Sequence, residues 1–170
     1  LGSVILASFR GSGCTRETIM RPEGAQDQKG ISISLRVSQR GSSDAQRWCY
    51  EWIEAWWPKT AWNPEPRISI MGDHEGYDGR TTYASIGGCY YAVRLAVAEK
   101  LSAMGRQAGV VALREAYPGY IVPVGVWINR ESVRMALSRE PRKFNSLGEG
   151  LKHISSRMQI PLGKWIATSA

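Results

Sequence analysis

Residues 31–38, ISISLRVS, set Ile31, Ile33, Leu35 and Val37 against Ser32, Ser34, Arg36 and Ser38. Strict alternation of this kind puts the apolar side chains on one face of an extended chain and the polar ones on the other, so the segment reads as a half-buried strand. A different period governs the run after Gly88. There Val93, Ala96, Val97, Leu101 and Met104 recur at helical spacing as one apolar stripe, with Gly105 placed to end it. The fold therefore has to combine a sheet with helices laid across it.

The remaining segments fill in that frame. VILASF (4–9) reads as a strand, and residues 10–30, with four glycines and one proline, as turn-rich. AQRWCYEWIEAWW (45–57) carries Trp48, Trp52 and Trp56 four apart. That spacing predicts one face of a helix, with Asp44 as its cap and Glu51 and Glu54 pointing elsewhere. Pro58, Pro64 and Pro66 then stop regular structure. RISIM (67–71) is a short strand. AGVVAL (108–113) and GYIVPVGVW (119–127) are two more, the second at an edge or bulge because of Pro123. Asn129 is placed to cap a helix over RESVRMALS. SLGEGLKHISSRM is a weaker helix interrupted by two glycines, and PLGKWIATSA is a short last one. The order shows no clean βαβα alternation. The expected class is α+β, a mixed sheet with helices packed mainly on one face.

The length of 170 residues suits a single domain over 1–170 with a real core. The chain starts with Leu1 and has no convincing leader, so it reads as a fragment or C-terminal part of a longer protein. No run approaches the roughly 18 apolar residues of a membrane span, so no membrane partner is expected. Three cysteines, Cys14, Cys49 and Cys89, at wide spacing make neither a zinc knuckle nor an obvious disulfide framework. Buried, reduced thiols in a cytoplasmic protein are the simplest reading. The formal charge is +7, and arginine supplies 16 of the 22 cations. The planar guanidinium fork suits phosphate, so the balance leans toward a polyanionic partner.

The densest cluster of reactive side chains is IMGDHEGYDGR (70–80). Asp73 and Glu75 lie two apart on an extended segment, on one side, with His74 on the other. Two such carboxylates, with Asp78, could hold a hard cation such as Mg or Mn. They could equally be tied to nearby arginines while the glycines make turns; the spacing matches no specific metal motif. Asp73, His74, Glu75 and Glu115 are the candidate catalytic residues, and Asp73, Glu75 and Asp78 the candidate metal ligands. Gly87 and Gly88 stand at the mouth of a helix, where backbone amides can approach an anion. Arg80, Arg94, Arg114 and Arg130, together with Arg106, could line a phosphate pocket beside them. No nucleotide-binding motif is present: GxGxxG spacing and a P-loop lysine are both missing. His153 forms no arguable triad. The tryptophan-rich segment suits a core or an interface better than a base-stacking platform.

Four strings, WIEAWWPKTAWNPEP, GDHEGYDGRTTYASIGGCYYAVRLAVAEKL, GRQAGVVALREAYPGYIVPVGVWINRESVRMAL and FNSLGEGL, resemble the C-terminal part of the archaeal Nre family of DNA-repair proteins. The resemblance covers roughly residues 45–165. It implies a role in the response to DNA damage, nuclease-like or as an adaptor, with docking to the replicative sliding clamp. Family members often carry an N-terminal zinc element and a C-terminal clamp-binding peptide, and this chain shows neither. No catalytic residue is carried over from the family. Three expectations stand side by side: a repair factor that binds DNA or a partner through arginine-rich loops, a metal-dependent enzyme acting on phosphodiesters or nucleotides, and a structural module docked by its aromatic segment.

Overall fold

The described residues form eight strands and four helices, in the order β1 (Gly2–Ser3), β2 (Ile5–Gly11), β3 (Cys14–Met20), β4 (Ile31–Ser38), β5 (Cys49–Trp56), β6 (Ser69–Glu75), α1 (Gly88–Ala103), β7 (Gln107–Ala116), α2 (Val126–Leu137), β8 (Arg142–Phe144), α3 (Leu147–Ser155) and α4 (Leu162–Thr168). The computed structural model describes residues 2–3, 5–11, 14–20, 31–38, 49–76, 79–104, 107–119, 121, 125–144 and 146–169; side chains are described from residue 50 onward, those of 107, 108, 143 and 147 excepted. Asp44, Trp48, Asp78, Gly105, Arg106 and Pro123, all named above, lie outside the described residues.

The strands form one sheet in the order β6-β5-β7-β4-β2-β3-β8, with β1 also paired to β7. β5 runs parallel to β7 and β2 parallel to β4, while the β5–β6, β4–β7, β2–β3 and β3–β8 pairs are antiparallel. This is the mixed sheet of an α+β fold. The alternating segment is β4, as its period requires. The two long helices, α1 and α2, pack on one face over Tyr50, Trp52, Val110 and Ala112. The short α3 and α4 cover the other face, where Ile154, Ile160 and Trp165 meet Ile53, Ala55 and Leu113.

Several expectations are corrected. The tryptophan-rich segment is not a helix; its described part is the strand β5. A spacing of four is even, so Trp52 and Trp56 share a strand face as readily as a helix face. Tyr50, Trp52, Glu54 and Trp56 are buried on one side, and Ile53 and Ala55 on the other. A strand covered on both faces loses the polar alternation that would announce it. Residues 14–20, expected to be turn, form β3 against β2. No strand is found at the described residues of GYIVPVGVW; Val126 and Trp127 open α2 instead. Asn129 does not cap that helix but lies within it, buried, and Gly125 stands at the N-cap. Met104 leaves the α1 stripe at the C-cap and is exposed. The two glycines of α3 are tolerated because Ser146 accepts from the Glu149 amide at 3.2 Å, closing the first turn.

The β5–β6 connection is fixed by one buried amide. Asn63 Nδ2 donates to the carbonyls of Trp56 and Arg67, both at 2.8 Å, and its Oδ1 accepts from Glu65 N at 3.2 Å. This anchors a proline-rich turn beside the end of the sheet where a cavity opens. Among the described residues no helix is long and apolar enough to cross a membrane.

Candidate functional site

The acidic stretch and the arginines expected to join it separate into two places. The first is the far end of β6. Asp73 receives Arg80 Nη1 and Nη2 at 2.6 and 3.0 Å, and also accepts from Ser85 N at 2.6 Å. The Arg80 guanidinium, with help from the Ser85 amide, holds the Asp73 carboxyl far below the usual carboxylate range. Arg80 also donates to the carbonyls of His74, Thr82 and Tyr83. It therefore clasps the 80–85 loop to β6. Glu75 is buried and accepts from Arg94 Nε at 2.6 Å, tying β6 to α1. His74 is exposed, on the opposite face of the strand. Among the described residues no three His, Cys, Asp or Glu side chains gather as a metal-binding group.

The second place is a pocket of about 520 Å³ at the other end of β5 and β6. Register fixes the separation. Glu75 pairs with Tyr50, whereas Met71, on the pocket wall, pairs with Glu54. Four residues along a strand is roughly 13 Å. Glu54 in turn lies directly across from Arg114 of β7.

Glu54 and Arg114 form the pocket floor, joined at 3.1 Å, with Arg114 only 1% exposed. The Arg114 guanidinium carbon stands 4.8 Å from the Trp56 ring centroid. Desolvating both charges offsets most of their attraction, so such a pair is a poor stabiliser for its own sake. Cys89 reaches the same floor. Asn129 Nδ2 donates to its Sγ at 3.0 Å, and Arg114 Nη1 lies 4.0 Å from it. Burial, then the Glu54 charge, pushes the Cys89 thiol up, which keeps it protonated and a weak nucleophile. It is a free cysteine.

The pocket walls are the starts of the two long helices. Gly87 has φ 83°, a conformation glycine adopts without strain, and its carbonyl receives Tyr90 N to open α1. Gly88 is constrained for another reason. A Cβ there would stand 2.8 Å from Val126 Cγ1, so the two helix starts abut. Neither start has a capping side chain or an acidic residue in its first turn. The outer rim is apolar, with Trp62 66% exposed beside Met71 and Val126.

Of the residues singled out in the sequence, Gly87, Gly88 and Arg114 line this pocket. Arg80 and Arg94 belong to the β6 clasp, and Arg130 pairs with its neighbour Glu131 on α2 at 3.1 Å. Glu115 faces the opposite side of the sheet. It accepts from the Tyr117 hydroxyl and from the amides of Gln159 and Ile160, anchoring the approach to α4. Glu54, Trp56, Trp62 and Asn129 were missed. The parity of Glu54 with Trp52 and Trp56 would have placed it inward, had the segment been read as a strand.

Residues 75–170 match the family described as Archaeal Nre, C-terminal. The DNA repair protein NreB of Archaeoglobus fulgidus is 44% identical over 122 residues, covering 72% of this chain and 31% of that protein. The DNA repair protein NreA of Haloferax volcanii is 38% identical over 119 residues, 68% of this chain and 28% of that protein. NreA of Archaeoglobus fulgidus is 36% identical over 115 residues, 67% and 29%. The chain thus spans about a third of the length of these relatives. No solved structure matches it.

Proposed function

The chain belongs to the archaeal Nre family, and from that premise we propose that it serves DNA repair by binding DNA at the pocket end of the sheet. The observation that carries this reading is the gathering there of two helix starts without capping side chains and an aromatic rim. Lys59 and Arg67 are exposed in the same turn as Trp62 and form no ion pair among the described residues. By contrast, Arg80, Arg94, Arg114, Arg130 and Arg134 are paired with carboxylates. The arginine-rich loops are thus a weaker source of DNA contacts than the turn over 57–68. A sliding clamp is a further proposed partner.

Labelled duplex and single-stranded DNA, titrated at several salt concentrations, test the proposal. Phosphate contacts release counterions, so affinity is expected to fall steeply as salt rises. Absence of binding at low salt, or affinity indifferent to salt, removes direct DNA binding. Metal-dependent hydrolysis with Mg or Mn at Asp73 and Glu75 is the weaker reading, because each of those carboxylates is already neutralised by an arginine. Metal-induced thermal stabilisation that disappears in Asp73→Asn and Glu75→Gln would favour it instead.

A further inference from the structure

We propose that the pocket holds a single nucleotide unit, a nucleobase with its phosphate, either free or presented by an unpaired strand. The inference rests on the DNA reading above for the class of ligand, and three independent features support it.

The first is size and shape: about 520 Å³ lies within the range of small-molecule and cofactor pockets. The second is charge. Two positive helix ends side by side repel each other unless an anion lies between them. The α1 and α2 starts touch at Gly88 and Val126, and no acidic residue stands in either first turn. The nearby Glu54 carboxylate is already matched by Arg114. A phosphate at the helix starts would supply the missing negative charge through bonds to backbone amides.

The third feature is an incomplete side chain. Asn129 is 4% exposed and lines the pocket, yet its one hydrogen bond among the described residues goes to the Cys89 sulfur, a weak acceptor. One end of a buried amide is left to be satisfied from the cavity. A nucleobase edge offers both donors and acceptors and can match either orientation of that amide. Trp62 and Met71 at the rim give the base a flat apolar surface to lie on. A bare phosphate would leave the rim and Asn129 unused, and an apolar ligand would leave the helix starts unmatched.

The test is titration of the 170-residue chain with deoxyadenosine and deoxythymidine monophosphates, with the matching nucleosides and with inorganic phosphate, read by calorimetry and tryptophan fluorescence. At least one mononucleotide is expected to bind 1:1, at least about tenfold tighter than its nucleoside or phosphate alone. Trp62→Ala, at an exposed position where folding is safe, is expected to weaken it about tenfold through lost stacking. Asn129→Ala is expected to weaken it while sparing the affinity for inorganic phosphate. Competition by single-stranded oligonucleotide identifies a strand as the source, and failure to compete identifies the free nucleotide. Salt-sensitive DNA binding without any mononucleotide binding, or mononucleotide binding indifferent to both variants, overturns the inference and leaves the DNA reading standing. Mononucleotide binding without DNA binding removes the DNA reading and keeps the pocket.

Discussion

The two ends of β5 and β6 carry the same chemistry to different effect. At the far end, Asp73 and Glu75 meet Arg80 and Arg94; at the pocket end, Glu54 meets Arg114. The Arg80 donors at the far end also go to the His74 carbonyl of β6 and to the Thr82 and Tyr83 carbonyls of the loop, so the charges there hold a chain segment in place. At the pocket end the pair is sealed under a cavity lined by two helix starts without capping side chains. Acid–arginine pairing alone therefore does not separate a clasp from a binding floor. What surrounds the pair does.

The comparison can be broken most forcefully at Glu54. Glu54→Ala removes the carboxylate paired with buried Arg114, and loss of one partner of a buried pair costs about 3–5 kcal/mol. Urea denaturation is expected to show a loss of that order; a change below about 1 kcal/mol would mean the pair is solvated and the pocket floor wrongly drawn. Gly88→Ala comes next. The added methyl meets Val126 at 2.8 Å, and overpacking of this kind costs about 1–3 kcal/mol. Adding Val126→Ala is expected to recover most of that loss. Failure to recover would show that the helix starts do not abut.

At the far end the expected effect is smaller. Asp73→Asn removes the charge from a partly exposed pair, with a loss of about 1–2 kcal/mol in thermal or urea unfolding. The same group makes stability depend on acid. Its folded pKa is depressed, chiefly by Arg80. Its contribution is therefore fully present above the ordinary value near 3.8 and is lost progressively as pH falls below it. The parent protein is expected to lose more stability than Asp73→Asn between pH 5 and pH 2, measured by melting temperature. Equal losses would remove Asp73 from the clasp. Smallest of all is Trp62→Ala, whose side chain is mostly exposed; unfolding is expected to change by no more than about 0.5 kcal/mol. A larger loss would make Trp62 part of the core rather than the rim.

Part of this was legible from the residues. The clasp was foreseen as one of two alternatives, because Asp73 and Glu75 share a strand face and Arg80 and Arg94 are near in sequence. The pocket floor was only half legible. Gly87, Gly88 and Arg114 are legible as anion-binding residues, whereas a helical reading of the tryptophan-rich segment turns Glu54 away from them. Glu115 was grouped with Arg114, its neighbour in sequence, although adjacent residues of a strand face opposite sides of the sheet.

The sequence by itself determined the elements whose pattern shows a single period. Alternation made β4 a strand, and the stripe from Val93 to Leu101 made α1 a helix, because one buried face leaves a clear signature. Only the tertiary structure decided β5. Its residues are apolar on both faces, and the four-residue tryptophan spacing suits strand and helix alike; insertion between β6 and β7, with helices on either side, removes the ambiguity. The partners of the charges were decided in the same way. Arg114 meets Glu54 across 60 residues of chain because two parallel strands happen to align them. No local rule in the sequence encodes that register, since it is set by the packing of the whole sheet.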